Sequence, residues 1–171
     1  FDASTQNCIS NIRYSASKDG IIQHPVIAGN YDFIFLANEP NNIMIESRLN
    51  GITEYSDLNS IAYPESFFTS ERIIPMIQEI RNVTILPGKQ GAKLSDGTTT
   101  SLLQLALDRL GVRVDAVLVA VSAAADFDDS FEGVTFSGIP NLVPLTAAYN
   151  GPAVEHTITR KFTRDTKYIS D

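Results

Sequence analysis

Apolar residues fall in short runs separated by turn signals, and the strongest run lies between Ala28 and Pro40. Gly29-Asn30 opens it as a turn pair, because both residues tolerate positive φ. Tyr31, Phe33, Phe35 and Ala37 then occupy one face of an extended segment, and Ile34 and Leu36 the other. Asp32 is the only polar residue near the entry. A strand apolar on both faces is expected in the middle of a structure, covered from both sides. Asn38-Glu39-Pro40 ends it, since Pro cannot continue a ladder and restricts the residue before it.

Other runs repeat this pattern more weakly. Cys8 to Ala16 alternates and predicts a strand closed by the turn Lys18-Asp19-Gly20, followed by a short extended piece over Ile21 to Ile27. Asn42 to Tyr63 changes period: Ile43, Ile45, Leu49 and Ile52 recur at near-helical spacing behind Asn41 or Asn42 as cap. A second short helix, capped by Thr53 or Ser56, carries Leu58 and Ile61 and ends before Pro64. Residues 64–79 read as loop, Ile80 to Leu86 as a strand ended by Pro87-Gly88, and 89–100 as a polar loop with the turn signal Asp96-Gly97. Leu102 to Leu105 predicts a strand, and Asp108 to Gly111 a helical turn. Val112 to Ser122 is the second strong strand. Phe131 to Gly138 alternates, Leu142 to Leu145 is a short apolar piece, and Val154 to Tyr168 is a polar candidate strand behind the break Asn150-Gly151-Pro152. About seven short strands with one or two short helices predict a mostly β fold, a β-sandwich.

Composition narrows the function classes. With 171 residues, 43% hydrophobic and 19% charged, the chain carries enough apolar material for a core, in one domain with a tail. The net charge of -7 disfavours nucleic acid as a partner. Arg160, Lys161, Arg164 and Lys167 crowd into the tail, so residues 1–150 are more acidic still. Cys8 stands alone and reads as a packing residue. The chain opens on Phe1 with neither a basic n-region nor an apolar h-region, which fits a start made by processing or by truncation. No run is long and apolar enough to predict a membrane span.

No catalytic or metal-binding pattern emerges. His24 and His156 are far apart and outside any HxxxH or HExxH spacing. Cys8 has no base near it in sequence. The carboxylates of Asp126 to Glu132 lack the glycine and closing glutamate of an EF-hand and read as a solvated acidic loop. Pro87 to Lys93 fails the P-loop spacing, and the sequon Asn82-Val83-Thr84 falls inside a predicted strand. No G-x-S-x-G elbow is present. No catalytic, cofactor-binding or metal-binding residue is therefore expected, and no cofactor.

Four phrases in order carry a family likeness. Ala28 to Asn38 resembles the "AGxYxxxxxAN" core of the Bacteroidales fimbrillins, the major fimbrial subunit family. Pro75-Met76 stands where that family has "PM". Leu107 to Val114 resembles its "LxRxxAKV" segment, with Gly111 for Ala and Arg113 for Lys, and Phe131 to Pro140 resembles the strand ending in an "NVP"-like phrase. The likeness covers about residues 8–150. It implies a transthyretin-like β-sandwich over 1–150, the N-terminal domain of a subunit, with 151–171 as a terminal strand or linker toward a second domain. It further implies a lipoprotein precursor exported to the outer membrane, and a structural, non-enzymatic subunit of a cell-surface fimbria supporting adhesion. Its partners would be other fimbrial subunits, joined by strand addition, with host or bacterial surface ligands beyond them. The competing expectation is an adhesin module that binds carbohydrate or host protein, for which exposed aromatics or an ion at Asp126–Asp129 would speak.

Overall fold

The structure, a computed structural model, describes residues 1–15, 20–39, 42–70, 74–88, 91–111, 134–146 and 151–158. It is mostly β with short helices. Two compact units form: Phe1–Val112 with Leu142–Tyr149, and Arg113–Asn141 with Asn150–Asp171. The division is interleaved along the chain.

The first unit is built on β1 (Gly29–Ala37) and β3 (Met76–Ile85), which pair antiparallel from Gly29↔Ile85 to Ala37↔Met76. On its other edge β3 pairs with β4 (Ala92–Lys93) at one end and with β6 (Asp108–Arg109) at the other, and β4 pairs with β5 (Thr99–Thr100). The centre of this sheet is therefore β3. Among the described residues the strand β1, expected in the middle, ends the sheet order. Alternation reports which faces are covered, whereas edge position depends on backbone groups that every sequence shares. β3 also begins four residues before the predicted start at Ile80, in a segment read as loop.

The helical stretch follows its signals. Helix α1 (Ile43–Asn50) is capped by Asn42, whose side chain accepts from the Met44 and Ile45 amides at 3.0 and 3.3 Å. A 3-10 helix (Tyr55–Ser60) follows, and its entry is organised by Asp57 instead of Thr53 or Ser56. Asp57 Oδ2 accepts from the Thr53 and Glu54 amides at 2.8 and 3.0 Å, which holds its carboxyl below the usual range. After β2 (Ala62–Pro64) comes a helix the pattern did not reveal, α2 (Glu65–Ser70). Its Phe67 and Phe68 pack on a core of Ile45, Leu58, Ile61, Tyr63 and Leu145. Ile34, Leu36 and Phe1 join that core. β8 (Leu142–Pro144) pairs with β2 and delivers Leu145.

Three other expectations are corrected. Residues 8–15 form no strand, and among the described residues no strand pairs with them; side chains tether them, Asn11 to the Leu49 carbonyl and Arg13 to Glu46 at 3.2 Å. Leu102 to Leu105 is irregular, and Asp108-Arg109 is strand, not helical turn: it pairs with Met76-Ile77, and the Leu110 amide donates to the Pro75 carbonyl at 2.9 Å. Asp96-Gly97 does make a turn, with Gly97 at φ 89°, and it joins two short strands not foreseen.

In the second unit, β7 (Val134–Pro140) pairs antiparallel with β9 (Ala153–Ile158), across an irregularity between Phe136 and Ile139 that contains Gly138 at φ 76°. The expected terminal strand thus exists at its start. The strand expected over Val112 to Ser122 and the acidic loop Asp126 to Glu132 lie outside the described residues, as do the turn residues Lys18-Asp19 and the basic tail.

Candidate functional site

The outer edge of β1 is the feature that sets this fold apart. Backbone groups of alternate residues in a strand point to the same side. At the start of β1 the outward set is occupied by the first residues of the chain. Phe1 and Asp32 exchange both backbone bonds, at 2.8 and 2.9 Å, the Ala3 amide donates to the Asn30 carbonyl at 3.1 Å, and Asp2 bridges Tyr31 in the antiparallel sense. The next outward residues are Ile34 and Leu36. Among the described residues no strand pairs with β1 there. Among the described residues, the pairing of this edge thus runs from Asn30 to Asp32.

Asp32 stands at the junction. It is 2% exposed, the one buried polar or charged side chain among the described residues. Opposite it, β3 carries an extra residue: β1 advances from Tyr31 to Phe33 while β3 goes from Val83 to Ile80. Asn82 lies in this bulge with φ 56°, and its amide is turned inward, where Asp32 Oδ1 accepts it at 2.8 Å. Asp32 Oδ2 accepts from Gln6 Nε2 at 3.0 Å and lies 3.7 Å from the Arg81 guanidinium. A buried carboxylate is tolerated because its lone pairs are filled in this way.

The covering segment is folded as a clip. Asp2 Oδ1 accepts from the Ser4 hydroxyl and from the Ser4 and Thr5 amides at 2.6 to 2.9 Å. These bonds pull the Asp2 carboxyl down to about 2. Gln6, at φ 61°, accepts the Tyr55 amide on its carbonyl, and the Cys8 amide donates to the Thr53 carbonyl. The Phe1 ring meets the Tyr55 ring edge-on at 5.6 Å, and the Arg81 guanidinium lies 4.2 Å over that same ring while pairing with Glu79. One network thus joins the clip, the β3 bulge and the 3-10 helix.

The two faces of β1 differ. Ile34 and Leu36 pack on the core, whereas Tyr31, Phe33 and Phe35 form a half-buried aromatic row, with centroids 6.1 and 6.0 Å apart. At its far end, Asn38 at φ 55° donates from its amide to the Ile74 carbonyl and stops the strand. Glu39 next to it accepts from Tyr63 Oη at 3.3 Å, and burial raises its carboxyl.

The residues singled out by sequence are not brought together. His24 is exposed and lies between Ser10 and Tyr14, whose hydroxyl is 2.5 Å from Nδ1. His156 is on β9, opposite Phe136. Cys8 is half-buried. Among the described residues no three His, Cys, Asp or Glu side chains are grouped to hold a metal. No helix among them is long and apolar enough to cross a membrane. The residues that matter at the β1 edge, Phe1, Gln6, Asp32, Arg81 and Asn82, were missed. One signal was available: a lone aspartate inside an otherwise apolar strand has to be buried with partners.

No family model, no curated protein and no solved structure matches the chain.

Proposed function

We propose that the protein is a non-enzymatic structural subunit of a bacterial cell-surface fimbria, associated with the outer membrane, that assembles by strand addition and supports adhesion. The observation that carries this is the outer edge of β1 at Ile34 and Leu36, where no strand pairs among the described residues and whose side chains pack on the core. An unpaired strand edge is a template for another chain, and folds normally blunt it with charge, Pro or a cover. Here the edge carries Ile, Phe and Leu. The resemblance to fimbrillins over residues 8–150 points the same way, and with it comes a transthyretin-like sandwich. In such an assembly the backbone bonds supply affinity, and alternate side chains filling pockets supply selectivity. The test is thermal melting of the chain with peptides copying C-terminal strands of subunits from one fimbrial system. A cognate strand raises the melting temperature. If none of these strands does, the reading is wrong.

A further inference from the structure

Asn30, between Gly29 and Tyr31, faces the side of β1 away from the aromatic row. It is opposite Thr84 of β3, whose hydroxyl donates to Asn30 Oδ1 at 2.7 Å. The Ala3 amide donates to the Asn30 carbonyl at 3.1 Å, which brings Ala3 and Ser4 alongside. Asn82 sits in the β3 bulge at φ 56°. Its backbone amide turns inward to Asp32 Oδ1 at 2.8 Å, and the residue is otherwise exposed. Ala3, Ser4, Asn30, Asn82 and Thr84 together line an open cavity of about 300 Å³, all within the first unit. Hydrogen-bonding capacity decides what fits there. The Asn30 oxygen and the Thr84 proton are spent on each other, so Asn30 keeps its Nδ2 donors and Thr84 Oγ1 keeps an acceptor. The Ser4 hydroxyl donates to Asp2 Oδ1 at 2.6 Å and likewise keeps an acceptor. The Asn82 carboxamide offers both kinds, because among the described residues it bonds to nothing. The lining thus presents donors and acceptors together, with no charged group among them. A hydroxyl donates and accepts, so a molecule with neighbouring hydroxyls satisfies both kinds at once. An anion would meet the acceptor oxygens of Ser4, Asn82 and Thr84, and an apolar ligand would find only Ala3. We propose that this cavity binds a neutral sugar, gripping neighbouring hydroxyls between the carboxamides of Asn30 and Asn82. Its volume is at the low end for small-molecule sites and suits one sugar ring. Sugar binding here needs no added strand, so it stands or falls separately from strand addition.

The experiment is an NMR titration of the isotope-labelled chain with the methyl glycosides of glucose, galactose, mannose and N-acetylglucosamine, and with inorganic phosphate. The side-chain amide signals of Asn30 and Asn82 report on the cavity directly. At least one glycoside shifts both signals and saturates in the millimolar range, the affinity of a few neutral hydrogen bonds made in water, while phosphate shifts neither. Asn82→Gly suits the positive φ and keeps the inward amide, so the backbone spectrum stays dispersed with the carboxamide gone. It weakens binding of that glycoside about fivefold. If no glycoside moves the two signals, or if Asn82→Gly binds as tightly as the parent, the sugar site is overturned. If phosphate moves them as strongly as any sugar, the cavity selects charge instead of hydroxyls, which overturns it equally.

Discussion

At the residue scale, two carboxylates near β1 behave in opposite ways. Asp32 is buried and fully engaged, so its loss leaves the inward-turned Asn82 amide and the Gln6 amide without their acceptor. Asp32→Ala is expected to destabilise the chain by about 2–3 kcal/mol, read as a lower urea midpoint. The Arg81 contact adds little to this, since that guanidinium is 43% exposed and screened. Glu39 is the reverse case, for burial raises its carboxyl despite the Tyr63 hydroxyl bond. A folded-state pKa above the unfolded one favours the fold at low pH, and that contribution is lost as pH rises through the raised value. Glu39→Gln removes the charge and keeps an acceptor for Tyr63. It should therefore be more stable than the parent at pH 7, with the gap closing as pH falls toward and below the ordinary glutamate value. Denaturation curves across that range that stay parallel would contradict this. Asp2 contributes in the usual direction: with its pKa pulled down to about 2, its contribution is complete above the ordinary aspartate value and fades as pH drops from there to about 2.

At the element scale, local chemistry was legible where a single residue decides it. Asn42 caps α1, as its position before the Ile43-Ile45-Leu49 pattern implied. Asn42→Ala is expected to cost about 1 kcal/mol, seen as a shift in the urea midpoint with an unchanged slope. Asp96-Gly97 turned the chain as read. Illegible were the elements that exist only through partners. β4, β5 and β6 are two residues each, too short to carry a period. α2 is six residues long and follows a proline, and its two phenylalanines have meaning only beside the core they fill. Gly111 illustrates the same point: a Cβ there would come within 2.7 Å of the Phe68 ring, so the glycine answers to a contact with another element. The predicted strand has alternation enough, but its described part, residues 8–15, has no pairing strand among the described residues, and an extended segment without a neighbour cannot satisfy its backbone through a ladder.

At the scale of the whole molecule, strand addition would act by mass action. A strand that binds the folded chain alone stabilises it by RT ln(1 + [L]/Kd), about 2.7 kcal/mol at one hundred times Kd. The melting temperature should thus keep rising with the logarithm of peptide concentration well beyond half-saturation, and a shift that levels off there would exclude this linkage. The mostly β class, the short helices near residues 43–60 and the strand at Gly29–Ala37 followed from the order of residues alone, because side-chain alternation and capping are local properties. The lone aspartate in that strand was visible too, though not its partners. Tertiary structure alone decided that this strand lies at an edge among the described residues, that residues 1–3 pair with its first part, and that Asp32 is buried beside that pairing. The reason is physical: edges are made of backbone N–H and C=O groups, which are the same in nearly every residue. Where they find partners depends on which distant segment is folded beside them.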